Sequence, residues 1–185
     1  MDNGASSYRR FLDGDDQGMA EIVGGYKDGL ILYLNGYVSN IFVAEELAED
    51  TFFRLMTKKP KFAGKSSFKS WLYAIGHHVA VDHVRRHSRL RTVPLEDAEY
   101  ALSEEHSLED AYIKEEQKHT LLRALSALSA DYRTVLWLTY FEDFSNKEVA
   151  AVLGKTDRQI TNLLYRAKQS LRATLEKEGF VYENL

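Results

Sequence analysis

The residues best equipped for chemistry lie between Ser145 and Arg172. Lys155, Arg158, Arg166, Lys168 and Arg172 give residues 155–172 five cations against one acid, Asp157, with Thr161, Asn162 and Tyr165 among them. Amides and hydroxyls suit base edges and cations suit phosphates, so the set fits the major groove of duplex DNA. The spacing also supplies a scaffold. Ser145 with Glu148 reads as a capping box that starts a short helix over 146–153, and Thr156 with Gln159 reads as a second box. Two helices crossing this closely need a small residue in the first and a residue tolerant of positive φ in the turn, and Ala150 and Gly154 meet those needs. Val149, Leu153, Ile160 and Leu163 form the apolar seam. The pattern predicts a helix-turn-helix. A solvated helical hairpin would share the polar face, but spacing, seam and charge together favour DNA binding.

A second basic block lies upstream. Residues 58–91 carry nine Lys/Arg against one acid, and four of the six histidines. Lys61, Phe62, Lys65, Lys69, Tyr73, His77, His78, Arg85 and Arg86 interleave cations with rings, which suits single-stranded nucleic acid, where bases stack on aromatic faces. By its phase with Leu72 and Ile75, Trp71 belongs to the core, leaving Phe62 and Tyr73 as stacking candidates. His78, Asp82 and His83, or His83 and His87, have metal-ligand spacing, but no further ligands match and the neighbouring arginines repel a cation. An Asp82 ion pair with Arg85 or Arg86 is the simpler reading. No metal and no cofactor are expected.

A third constellation is acidic. Glu45, Glu46, Glu49 and Asp50 share one helix face with Phe53 beside them, opposite a Leu47/Phe52/Leu55 seam. Like charges four apart cost a few tenths of a kcal/mol each. An acidic face with an apolar anchor reads as a partner-binding surface, or as a merely solvated face. No nucleophile, base or phosphate-cradling glycines converge, so catalysis has no support and the protein is read as a non-enzyme.

These side chains need helices to position them. The 185 residues show no strand-like alternation, and the two prolines, Pro60 and Pro94, sit between helical segments, so the expected fold is all-α. Helices are expected over about 16–37, from Ser39 or Asn40 to 57, and over 67–89, with glycines 24, 25, 29 and 36 weakening the first. Residues 58–67 read as a loop. Further helices are expected from Ser107 to about 128, from a Ser129 cap, and to a stop near Gly179. Two small helical domains follow, 1–91 and 107–185, joined by a flexible linker over 92–106 that opens near Pro94. The net charge of −4 averages opposed segments, since residues 1–57 carry 4 Lys/Arg against 10 Asp/Glu and residues 92–130 carry 3 against 9. The absence of cysteine excludes disulfide scaffolds, thiolate nucleophiles and Cys-based zinc fingers. No apolar run approaches the ~20 residues of a membrane span and no secretory signal is visible, so a cytoplasmic protein without membrane insertion is expected.

In this order the features resemble a bacterial RNA polymerase sigma factor of the extracytoplasmic-function class. Ala44-Glu45-Glu46-Leu47-Ala48-Glu49-Asp50-Thr51-Phe52-Phe53-Arg54-Leu55 is similar to the family's core-polymerase-binding helix. Phe68 to Ile75 with Asp82 to Arg86 is similar to its minus-ten helix, and Tyr132 to Leu136, Ser145 to Ala150 and Leu163 to Ala167 are similar to its minus-thirty-five domain. The resemblance implies docking on core RNA polymerase through Glu45, Glu46, Glu49, Asp50 and Phe53. It implies capture of a flipped non-template base by the 58–67 loop, a separated strand held by the helix that follows, and minus-thirty-five contacts from Thr161, Asn162 and Arg166. An anti-sigma factor is a further expected partner. This chain departs from the family's usual residues at Ser129 (Pro), Thr161 (Lys), and His77, His78 and His83 (Arg, Asn, Tyr), and its glycines at 24, 25 and 29 are unusual. The histidines raise the expectation of pH-sensitive promoter binding. The competing readings are a free-standing helix-turn-helix regulator, which binds duplex tightly alone, and a small metal-dependent enzyme using the His/Asp cluster.

Overall fold

The computed structural model describes residues 3–88 and 120–177. Every regular element among them is helical: α1 (Asn3–Leu12), α2 (Gln17–Val38), α3 (Ile41–Lys58), α4 (Phe68–Ser88), α5 (120–126), α6 (Ala130–Tyr140), α7 (Asn146–Leu153) and α8 (Asp157–Lys177). The expected linker over 92–106, the helix start at Ser107 and the stop at Gly179 lie outside the described residues.

In the first helical domain α2 is the central element and packs against α1, α3 and α4. Ile22, Leu30 and Leu34 of α2 are completely buried, against Leu55 of α3 and Phe68 and Leu72 of α4. Each such side chain contributes roughly 1.5–3 kcal/mol by leaving water. Asn40 caps α3, its Oδ1 accepting from Phe42 and Val43 N–H at 3.1 and 3.2 Å. Two features go beyond the expectations. The glycines do not break α2, which runs unbroken for 22 residues because its buried apolar face is held from three sides. The chain also forms α1, which its polar, glycine- and serine-containing sequence did not suggest. Packing holds it in place: Tyr8 is buried among Phe11, Phe68 and Trp71, and its hydroxyl donates to the Pro60 carbonyl at 2.8 Å.

The second helical domain buries Leu125, Val135, Leu138, Val149, Val152, Ile160 and Ala167. Ser129 precedes α6 as expected, but its hydroxyl makes no capping bond. Asp131 in the first turn interacts favourably with the helix dipole instead. The two domains are in contact, α4 against α7 and α2 against α6, and their buried residues form one continuous cluster.

Candidate nucleic-acid interface

The helix-turn-helix is built by its caps. The Ser145 hydroxyl accepts from Glu148 N–H while Glu148 accepts from Ser145 N–H, so the box is reciprocal. Gly154 ends α7 at φ 62°, where a side chain would be strained. Thr156 N–H donates to Gln159 Oε1 at 2.8 Å and Gln159 N–H to Thr156 Oγ1 at 3.3 Å, completing the second box. Replacing Ser145 with Ala is expected to cost ~1 kcal/mol. That is a fall of about 4–8 °C in the melting of a domain this size, read by calorimetry.

Val149 and Ile160 of the seam are fully buried and Leu153 and Leu163 half-buried; Val152, which the sequence reading left out, is buried with them. This seating turns Lys155, Arg158, Thr161, Asn162, Tyr165, Arg166 and Lys168 to solvent together. Thr161 is tethered, donating to Asp157 O at 3.0 Å and accepting from Asn146 Nδ2 at 3.4 Å. Lys168 Nζ lies 5.2 Å from the Tyr140 ring centroid, a cation–π contact that fixes the far end of the cationic row.

The first-domain residues divide. Lys61, Lys65, His78, Arg85 and Arg86 are exposed. Phe62 is half-buried against Phe68 and Trp71, with ring centroids 5.6 and 5.1 Å away. Lys69 and His77 are half-buried and Tyr73 is only 1% exposed, because the second domain lies over them. Lys69 Nζ reaches Glu142 Oε2 at 2.8 Å and the Glu142 carbonyl at 3.1 Å. Tyr73 meets the Phe144 ring edge-on at 5.4 Å. His77 Nδ1 hydrogen-bonds the Tyr37 hydroxyl at 2.9 Å. Burial first, then the charges of His78 and Lys155, hold the His77 pKa down to about 4, with Asp131 pulling weakly the other way. Glu142 and Phe144 escaped the sequence reading, since nothing in a lone acid between aromatics announces a partner 73 residues away.

Asp82 pairs with Arg85 at 3.2 Å, the simpler of the alternatives read from the sequence, and His83 and His87 stack at 3.9 Å. Among the described residues no three His, Cys, Asp or Glu side chains converge on a metal site. On α3, Glu45, Glu46, Glu49 and Asp50 are exposed and Phe53 is 62% exposed beside them.

A capped helix-turn-helix with a cationic outer face, a basic aromatic helix and a bare acidic helix, all in an all-helical chain, define a transcription-initiation protein of the sigma class. The comparisons agree. The family model for sigma-70 region 2 matches residues 22–90 and that for sigma-70 region 4 matches residues 118–171. The chain is 30% identical over 142 residues to the RNA polymerase sigma factor SigV of Bacillus subtilis, covering 77% of this chain and 81% of that one. It is 30% identical over 143 residues to the ECF RNA polymerase sigma factor SigC of Mycobacterium tuberculosis, covering 77% and 75%. The sigma factor RpoE of Bartonella quintana, solved in complex with the anti-sigma factor NepR, has the same fold, with a TM-score of 0.71 at 24% identity over 85% of this chain and 96% of that one. This chain belongs to the extracytoplasmic-function (ECF) RNA polymerase sigma factors, and its function is promoter-specific transcription initiation. None of the described helices is long and apolar enough to cross a membrane.

Proposed function

We propose that the chain works in the cytoplasm as a non-catalytic specificity subunit with three contact surfaces. The acidic face of α3, Glu45, Glu46, Glu49 and Asp50 around Phe53, docks on core RNA polymerase. The 58–67 loop with α4 takes the separated minus-ten strand: Lys61 and Lys65 meet phosphates, Phe62 stacks on a base, and Lys69, Tyr73, His77, His78, Arg85 and Arg86 track the strand. The outer face of α8 reads the minus-thirty-five duplex. We assign these roles to a domain over 1–91 and a domain over 107–185, with 92–106 as the linker. An anti-sigma factor is the antagonist we expect, as in the solved RpoE–NepR complex.

The observation that carries this reading is the shared exposure of Arg158, Thr161, Asn162, Tyr165, Arg166 and Lys168 on α8, with Lys155 in the fully capped turn before it. The test is promoter-dependent run-off transcription with the core enzyme of the source organism. Transcription from a defined start supports the reading; tight duplex binding by the chain alone, with no response from core enzyme, favours a free-standing regulator. Within the α8 face, Asn162 has the amide that pairs with adenine edges, so Asn162→Ala is expected to cost ~1–3 kcal/mol at one base position. Lys168→Ala is expected to weaken all sequences alike and to lower the salt slope of binding by about 1. Holoenzyme affinities on single-base promoter variants across a salt series separate the two.

A further inference from the structure

We propose that α1 is a brace for the strand-capturing loop over residues 58–67, with Tyr8 and Phe11 as positioning residues that hold the loop in its base-receiving shape before any strand arrives. The inference rests on the base-capture reading of that loop given above.

The loop does little to hold itself. Among the described residues, no backbone–backbone hydrogen bond involves residues 60–66. The chain leaves α3 through Lys59, a non-glycine residue in the left-handed region at φ 42°, and Pro60 follows at once with no N–H to donate. Such a conformation persists only where its neighbours over-determine it. Two of those neighbours come from α1. The Tyr8 hydroxyl donates to the Pro60 carbonyl at 2.8 Å, and the Lys59 ammonium lies 4.9 Å from the centroid of the Phe11 ring. Tyr8 is 1% exposed and burial pushes its pKa up to about 12, so it stays a donor at any working pH.

The base-stacking ring is braced as well. Phe62 rests on Phe68 and Trp71 from the loop side, and Tyr8 meets the same two rings at 5.6 and 5.4 Å from the α1 side. Two glycines let α1 come this close. A Cβ at Gly4 would run into the Phe68 ring, and one at Gly18 of α2 would run into the Ser7 carbonyl. A loop ordered only on binding loses affinity to its own ordering, whereas a loop held ready does not. The apparent affinity for the strand then scales with the fraction of molecules whose loop has the receiving shape.

The test is the affinity of the holoenzyme for a fork-junction DNA built on the promoter that run-off transcription identifies, with an abasic site placed at each minus-ten position in turn. The captured base is the one whose removal costs the parent most and Phe62→Ala least. Tyr8→Phe removes only the hydroxyl, and it is expected to weaken binding of the intact strand at least about threefold, the effect of one ordinary hydrogen bond. Adding Phe11→Leu removes the second contact and keeps most of the apolar volume, and it is expected to deepen the loss to about tenfold. Both variants are expected to match the parent on the strand that lacks the captured base, and to bind core enzyme as the parent does. A loss that is equal at every abasic position would make the two side chains merely structural and overturn the brace. Parent-like affinity of the double variant for the intact strand overturns it too. If Phe62→Ala shows no position-specific coupling, the capture reading itself fails, a result reached without touching α1, and the brace falls with it.

Discussion

Reversing two charges on α3, in the double variant Glu46→Lys/Asp50→Lys, is expected to weaken binding to core RNA polymerase at least about 100-fold, because close interfacial charge pairs couple by ~1.5–7 kcal/mol. The variant leaves the fold intact for a stated reason. Both side chains are exposed, and the core of α3 is Leu47, Thr51, Phe52 and Leu55 on the opposite face. Glu46 and Asp50 are four apart and already repel, and two lysines at the same positions repel to a similar degree, so helix stability changes little. The change therefore reports on docking rather than folding. Phe53 supplies the complementary test. It is 62% exposed at the edge of an open cavity of about 430 Å³ shared with Lys27, Glu49, Asp50 and Met56. An aromatic anchor beside charges is the arrangement in which truncation costs most, so Phe53→Ala is expected to lose ~2 kcal/mol or more, about 30-fold. Fluorescence titration of labelled core enzyme reads both. Unchanged affinity in the double variant would remove α3 as the docking face while leaving the sigma function standing.

What could be read from the sequence, and what could not, follows from how far apart the determinants lie. The capping boxes at Ser145/Glu148 and Thr156/Gln159 and the left-handed Gly154 are local: residues within four positions of each other fix them, and the hydrogen bonds found are those the spacing implies. The α3 face was equally legible, since a helix sorts its charged and apolar residues by period alone. α1 was not. Its segment has weak intrinsic preference for helix, and Tyr8, which holds it, finds its partners Phe68, Trp71 and Pro60 some 50 to 60 residues downstream. Ser129 shows the converse failure. Its residue type is a good cap and its backbone is extended like that of Ser145, but its hydroxyl makes no bond to the helix, so type alone overstated its role.

The interdomain contact lay furthest beyond the sequence. The Ser67–Glu148 hydrogen bond joins residues 81 apart, and the Lys69–Glu142 contact joins residues 73 apart. No periodicity or motif encodes such pairs. Tyr73 illustrates the consequence: its position among cations suggested an exposed stacking ring, and the structure buries it under Phe144. Gly29 was noted as a helix-weakening oddity, and only the structure shows that a Cβ there would lie 2.7 Å from the Tyr73 hydroxyl and 3.3 Å from Glu142 Oε1.

The same interface gives the protein a specific response to acid. His77 is bonded from α2 by Tyr37 and meets His78 of its own helix, and it feels the charges of Asp131 on α6 and of Lys155 in the turn before α8. Burial and the two neighbouring bases oppose its protonation and hold its pKa at about 4, against an ordinary 6.5. The sign follows from proton counts. Between those values the unfolded chain binds a proton at position 77 and the folded chain does not, so stability is full above pH 6.5 and is lost as pH falls toward 4. Between pH 7.5 and 5.0 the expected loss is ~1–2 kcal/mol, the lower end allowing for the partial exposure of the ring. Glu148, whose pKa is also depressed, is common to the parent and to His77→Gln, so it cancels in the difference. His83 is also held below its ordinary value, by burial and by His87, and remains as a background in every variant. Urea melts of the parent and of His77→Gln at the two pH values isolate the term. The parent is expected to lose more stability than His77→Gln by that amount, and equal losses would show that His77 titrates normally.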